Sequence, residues 1–236
     1  MRISLVIPAY NEEKYIGSCL ESVQKNGAGL FEVIVVNNAS TDNTRAIAQS
    51  FLNVRVVDEP RKGVTKARQR GITEARGDII AFIDADTQMP RQWVARISQL
   101  FEKDKKLVCV SGPSIYYDLL RVGKITVWSF WLILAWPTYF ITRYMAVAGN
   151  FAARKNALKS VNGFNQDIEF YGDDTEIAQR LCRVGKVKFM QRHYMYSSAR
   201  RLKAEGMAKT AIRYTINFLS VALIKKPLTH KYTDIR

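Results

Sequence analysis

Near-continuous apolar runs recurring at short intervals constrain this chain most. "ISLVI" (3–7), "VIVV" (33–36), "VRVV" (54–57) and "IIAFI" (79–83) are each followed by a polar turn and a segment with helical spacing. A strand solvated on one face alternates apolar and polar residues, whereas one that is apolar almost throughout must be covered on both. Such strands, alternating with helices, imply an α/β fold: a mostly parallel central sheet flanked by helices.

The intervening segments fit that plan. "NEEKYIGSCLESVQK" sets Ile16, Leu20 and Val23 on one helical face, with Asn11 as expected cap and Glu12 and Glu13 in the first turn. A second helix is expected around Ala46, Ile47 and Phe51, and a third between Gly63 and "EARGD". Pro90 is expected to open a fourth, with Trp93, Ile97 and Leu100 inward. Past residue 112 the alternation loosens. "YMAVAGNFAARK" reads as a strand and turn, "DDTEIAQRLCRVG" as a helix closed by Gly185, and "VKFM" as a last strand. Residues 203–226 read as one long amphipathic helix with basic ends. The expected organisation is a main domain over 1–200, split into halves at 1–112 and 113–200, with a helical tail over 201–236.

The chain has 236 residues and a formal charge of +15, from 36 Lys+Arg against 21 Asp+Glu. That excess favours a polyanionic partner: nucleic acid, phosphorylated small molecules or an acidic membrane. Cys19, Cys109 and Cys182 are far apart among apolar neighbours, as small core residues in a reducing compartment would be. "MRISLVIPAYNEE" turns polar too soon for a signal peptide and reads as a first strand.

Against this basic background, "DIIAFIDADTQMP" (78–90) ends an apolar strand in two acids, Asp84 and Asp86. Ligands of open parallel sheets bind at the carboxyl ends of strands, and side chains at i and i+2 of an extended segment point the same way. Two buried carboxylates repel unless a cation lies between them. Oxygen donors suit Mg²⁺ or Mn²⁺, which bridge to substrate phosphates. Taken alone, such a pair also occurs in solvated turns.

"SLVIPAYNEEKYIGSCLESV", "VIVVNNASTDNT", "KGVTKARQRGITEARGDIIAFIDADT", "GNFAARK" and "GFNQDIEFYGDDTEIAQRL" follow in that order over residues 3–190. Together they resemble the family-2 glycosyltransferases of GT-A fold. The resemblance implies transfer of a sugar from a nucleotide-sugar to an acceptor hydroxyl, with inversion and with Mg²⁺ or Mn²⁺. By motif, Pro8, Tyr10 and Glu12 would meet the base and ribose. Asn37 and Asn38 stand where the family has an acid followed by Asp or Asn, and Asn38 could accept from a base through its amide oxygen. Arg68 matches a basic residue near the nucleotide, and Asp84 and Asp86 match the metal and ribose motif. "GDDTE" resembles the family's Glu-Asp pair at a helix start, which makes Asp174 the expected general base and Asp173 an orienting partner. Without the family, the same two acids read as complements to a helix dipole. Arg200 and Arg201 match a basic segment that closes over the diphosphate, and Gly149 and Asn150 would shape the acceptor side. His193 and His230 have no partners at ligand spacing.

"ITVWSFWLILAWPTYFIT" (125–142) nearly reaches bilayer length. A crossing there would put Asp84 and Asp86 on one side and Asp174 on the other, so a span is not expected. A helix buried against the sheet and an interfacial helix with Trp128, Trp131, Trp136 and Tyr139 at headgroup depth both stay open, with a break expected at Pro137. The tail adds an apolar face bordered by Arg213, Lys225 and Lys226. These features favour a cytoplasmic protein held peripherally on anionic lipid at the inner face of the cell membrane, with a glycan or lipid-linked sugar as acceptor. Two other classes fit the sequence less well. A nucleotidyltransferase would carry a glycine-rich, arginine-containing loop where this chain has "PAYNEEKY", and a nucleic-acid module would cluster its basic residues, which are dispersed here. No nucleic-acid partner is expected.

Overall fold

The computed structural model describes residues 1–168, 170–225 and 227–229. Lys226 and His230 lie outside the described residues, as do residues 231–236. The chain opens as β1 (Ile3–Ala9), α1 (Ile16–Asn26), β2 (Leu30–Asn37), α2 (Thr44–Gln49), β3 (Val54–Asp58), α3 (Val64–Glu74) and β4 (Ile79–Ile83). It continues through β5 (Thr87–Gln88), α4 (Trp93–Lys103), β6 (Leu107–Ser111), β7 (Ser114–Tyr116), α5 (Arg121–Phe130), α6 (Trp136–Thr142), β8 (Asn150–Arg154) and α7 (Lys155–Ser160). Last come α8 (Asp173–Cys182), β9 (Lys186–Phe189), β10 (Met195–Ser197), α9 (Arg200–Glu205) and α10 (Met207–Ile224).

Seven strands form the main sheet in the order β3-β2-β1-β4-β8-β6-β9. All run parallel except β8, which pairs antiparallel with both β4 and β6. Every residue of β1, β4 and β6 is buried, as the two-sided covering of continuous apolar runs requires. One core layer sets Ile16, Leu20, Trp93 and Phe101 against the sheet; the other sets Ile72, Leu158, Phe164 and Leu181 against its opposite face. Burying each large side chain stabilises the fold by on the order of 2–3 kcal/mol. A second sheet, β5-β10-β7, ties the segment after "VKFM" back to the end of β4.

Several expectations are corrected. α1 starts at Ile16, and Asn11 is not its cap: at φ 50° its side-chain oxygen accepts from the Thr41 N–H at 2.8 Å, joining the two turns that follow β1 and β2. β10 follows "VKFM", so β9 is not the last strand. α8 ends at Cys182, before Gly185. The tail is two helices, broken at Gly206, whose φ of 87° is one that other residues avoid.

The stretch around 125–142 is not a core helix. Residues Arg121–Thr142 form one helical run of 22 residues, long and apolar enough to cross a membrane; its most apolar 18-residue stretch has a mean hydropathy of 1.3 and is only 6% buried. It does not break at Pro137. Over Trp131–Ala135 it widens to π geometry, which accommodates a proline ring that excludes the regular bond to the Ile133 carbonyl. Trp131 and Tyr139 turn inward onto Phe189, at 5.6 and 6.3 Å between ring centroids. Trp128 and Trp136 stay exposed, with Ile125, Ile133 and Ile141 beside them. The run follows β7 of the second sheet and leads into β8 of the main sheet, so its two ends are tied to different sheets. In α10 the buried side is polar (Thr210, Asn217, Ser220) apart from Val221, while Ile212, Ile216, Leu219 and Leu223 face out.

Candidate active site

The ends of β1 and β4 converge on a cleft of about 810 Å³ lined by Pro8, Glu12, Arg68, Asp84, Asp86, Asp173, Asp174, Arg200 and Arg201. The backbone does not stay extended after Ile83 but turns, the Thr87 N–H donating to the Asp84 carbonyl at 3.2 Å, and the turn leaves both Asp84 and Asp86 lining the cleft. Asp84 retains 41% side-chain exposure and Asp86 12%.

Each acid has a specific cation. Arg68, fully enclosed on α3, donates to Asp84 at 2.9 Å and to Asp173 across the cleft, so one guanidinium joins the end of β4 to the start of α8. Arg200, the first residue of α9, donates both Nη atoms to Glu12, at 2.6 and 2.8 Å, and its Nε to Asp86 at 2.9 Å. Burial pushes the Asp86 carboxyl up to about 7, against the lowering effect of Arg200, and the Asp84 and Glu12 carboxylates add to the rise. Burial likewise raises Asp173 to about 7, opposed by Arg68 and reinforced by Asp174 and Asp84. Asp174 is also raised by burial, partly offset by the Thr175 N–H, which donates to its Oδ1 at 2.7 Å.

Gly149 owes its identity to Asp84. Ile83 pairs with Asn150 in the β4–β8 ladder, which puts Gly149 beside the first acid. A Cβ there would lie 2.3 Å from Asp84 Oδ2. Asn150 does not line the cleft and so does not shape an acceptor side. It is fully buried, accepts from the Trp93 indole at 2.9 Å and donates to the His193 carbonyl at 2.5 Å. His193 is buried against Trp93, with ring centroids 5.4 Å apart, and neither ring nitrogen has a hydrogen-bond partner.

The two asparagines after β2 differ from the expectation. Asn38, 3% exposed, spends its amide on the backbone: it donates to the carbonyls of Glu59 and Arg61 and accepts from the Gly63 N–H at 2.8 Å. Asn37 donates to Asp58 at 2.8 Å, while its buried Oδ1 lacks a donor. Tyr10 lies outside the cleft lining, with Lys62 4.1 Å above its ring.

Sequence reasoning missed Asp118. It accepts from the Ala199 N–H at 2.6 Å, the Ser198 hydroxyl at 3.2 Å and Lys203 at 2.9 Å, and so fixes the start of α9. The Ser198 N–H also donates to the Asp86 carbonyl at 3.1 Å. These contacts and the β5-β10 pairing bring Arg200 to Asp86. An acid in "YYDLL" gives no local sign of this.

A mostly parallel sheet with paired acids at the carboxyl end of a central strand, facing an acidic helix start across one cleft, defines the GT-A type of α/β transferase fold. Residues 4–161 match glycosyl transferase family 2, and the chain belongs to that family. It is 25% identical to YibD, an uncharacterized glycosyltransferase of Escherichia coli K12, over 99% of this chain and 72% of that one. Among solved structures it is similar to glucosyl-3-phosphoglycerate synthase from Mycobacterium tuberculosis in complex with Mn²⁺, UDP and phosphoglyceric acid. The TM-score is 0.66 and the identity 23%, covering 94% of this chain and 78% of that one. It is also similar to the mannosyltransferase PcManGT from Pyrobaculum calidifontis in complex with GDP-Man and Mn²⁺. There the TM-score is 0.65 and the identity 21%, over 90% of this chain and 64% of that one.

Proposed function

We propose that this glycosyltransferase moves a sugar from a nucleoside-diphosphate donor to an acceptor hydroxyl by a single inverting displacement. The observation that carries the reading is convergence: acids from β4 and from α8 share Arg68 across one cleft, with Arg200 and Glu12 at its rim. In this reading residues 1–112 hold the donor and residues 113–200 form the acceptor side.

Asp84 and Asp86 would hold Mg²⁺ or Mn²⁺. The fit is chemical. Both acids line one cleft, and the positive charge now facing Asp86 is a guanidinium. Among the described residues no group of three His, Cys, Asp or Glu side chains could hold a metal ion, so Asp84 and Asp86 would be the chain's own contribution to its binding. The ion supplies neutralisation of charge on the departing diphosphate. Arg200, released from Asp86, stabilises the same oxygens. Asn37 offers its unpaired amide oxygen to a ring N–H of the base. Arg68 and Asp173 hold the start of α8 in place, and Asp174 accepts the proton of the attacking hydroxyl.

Two substitutions test this. Asp86→Asn should abolish Mn²⁺-dependent donor binding in a thermal-shift screen of UDP-, GDP- and dTDP-sugars. Asp174→Asn should keep donor binding and lose transfer by roughly 100- to 10,000-fold; near-normal turnover would remove Asp174 as the base. The exposed apolar faces of α5–α6 and α10 support peripheral attachment to a membrane, and the +15 charge favours anionic lipid there.

A further inference from the structure

The cleft does not end at the acids. It runs on between the inner side of α5–α6 and α10, past Phe130, Trp131, Leu134, Ala211, Tyr214 and Phe218. Its lining extends from Thr126 to Thr138 on the first helix and from Met207 to Leu219 on the second. At 1.5 Å per helical residue the passage is roughly 18 Å long. Acid site and passage together enclose about 810 Å³, toward the upper end of the roughly 300–1,000 Å³ of small-molecule sites.

The chemistry of the walls narrows the occupant. Thr126, Thr138 and Thr215 line the passage, yet each donates its hydroxyl proton to its own helix, at 3.1, 2.6 and 2.9 Å. What remains is mostly hydrocarbon and aromatic edge. A glycan threaded here would shed water from many hydroxyls and find few partners, chiefly the unpaired Trp131 indole N–H and the threonine oxygens, whereas a hydrocarbon chain gains by leaving water. Where the passage meets the acids, Arg201 lines the same cleft, held by Glu205 at 2.9 Å and lying 4.6 Å over the Phe170 ring. A guanidinium there suits phosphate oxygens. Toward the surface the two walls are the helices whose outer residues, Ile133 and Trp128 on one and Ile216 and Leu223 on the other, are exposed and apolar.

We propose that this passage holds the hydrocarbon chain of a lipid-phosphate-linked acceptor. Chain, phosphate and hydroxyl lie in order along it: the chain between α5–α6 and α10, the phosphate at Arg201, the hydroxyl at Asp174. The proposal rests on the transferase reading for the fate of that hydroxyl. Its oxygen forms the new bond to the anomeric carbon, the bond from that carbon to the diphosphate oxygen breaks, and the proton passes to Asp174. Chain binding itself needs neither donor nor metal.

Geranylgeranyl phosphate, titrated below micelle-forming concentration onto the full chain without nucleotide or metal, is the probe. Micromolar binding is expected, with none for inorganic phosphate at millimolar concentration. Ala211→Trp, which fills the passage, should weaken it about tenfold. Absence of binding, or equal binding by a folded Ala211→Trp, overturns the proposal. A diazirine-bearing prenyl phosphate gives a readout without any variant. Adducts are expected within residues 126–138 and 207–219, and adducts confined to other surfaces overturn it. So does a dimer, seen by sedimentation, that excludes the probe. Mn²⁺-dependent nucleoside diphosphate release, measured on the same preparation, separates the two readings. Lost probe binding with release intact removes the lipid proposal alone. Lost release with probe binding intact removes the transferase reading and leaves a lipid site.

Discussion

Gly149 shows how much depends on one missing methyl group. A Cβ 2.3 Å from Asp84 Oδ2 would force the carboxylate aside or strain its bond to Arg68. Gly149→Ala is therefore expected to keep the fold, with a melting temperature within a few degrees of the parent. It should lower Mn²⁺-dependent diphosphate release by roughly 100-fold, the scale of a 1 Å displacement at a reacting centre. His193 carries a different expectation. Burial, with Arg96 nearby, lowers it to about 3, whereas the unfolded chain titrates near 6.5. Between those values the unfolded state binds one more proton, so stability falls as pH falls by about 1.4 kcal/mol per pH unit. In His193→Phe, which keeps a ring against Trp93, denaturant midpoints between pH 6 and 4 should fall less steeply. Slopes equal to the parent's would show that His193 is not the group responsible.

At the scale of elements, α9 matters most. It is a six-residue helix, too short to hold itself, and it delivers Arg200 to Glu12 and Asp86 because Asp118 accepts from the N–H of Ala199, the residue just before it. Asp118→Ala removes that acceptor and the contacts to Ser198 and Lys203. The expected cost is about 1 kcal/mol of stability, the net scale of a lost hydrogen bond. The expected functional effect is a raised KM for the donor, with metal affinity measured without donor unchanged. An unaltered KM would mean that β10 alone holds the segment. α10 carries the opposite lesson about pattern. Its inner side is largely hydroxyl and amide, its outer side aliphatic, and the break at Gly206 lets it turn away from α9.

At the scale of the whole molecule, the proposed membrane attachment would draw on both the +15 charge and the two outward apolar faces. Apolar insertion gives adhesion that salt does not weaken, whereas attraction to anionic lipid is screened over about 8 Å at physiological ionic strength. Flotation with anionic liposomes should therefore be strong at low salt and reduced but measurable at moderate salt. Ile133→Glu with Ile141→Glu should abolish it while circular dichroism stays unchanged. No flotation of the parent at moderate salt would remove the membrane reading.

Much was legible before any coordinates. Near-continuous apolar runs can only be buried on both faces, so "ISLVI" and "IIAFI" had to be adjacent to helix-covered layers, and the two acids after the second had to reach a strand end. What the chain alone left open were distances between segments far apart in sequence. Nothing local in "YYDLL" marks Asp118 as the anchor of α9, and nothing local in "VVNNAS" shows that the Gly63 N–H takes the amide oxygen of Asn38. The apolar stretch was ambiguous for the same reason: hydropathy says that a segment avoids water, not what it meets instead. Local propensity and periodicity determined which elements form, because they depend on near neighbours. The convergence of β4, α3, α8 and α9 on one cleft, and the outward turn of two apolar helices, were decided only when long-range packing fixed who meets whom.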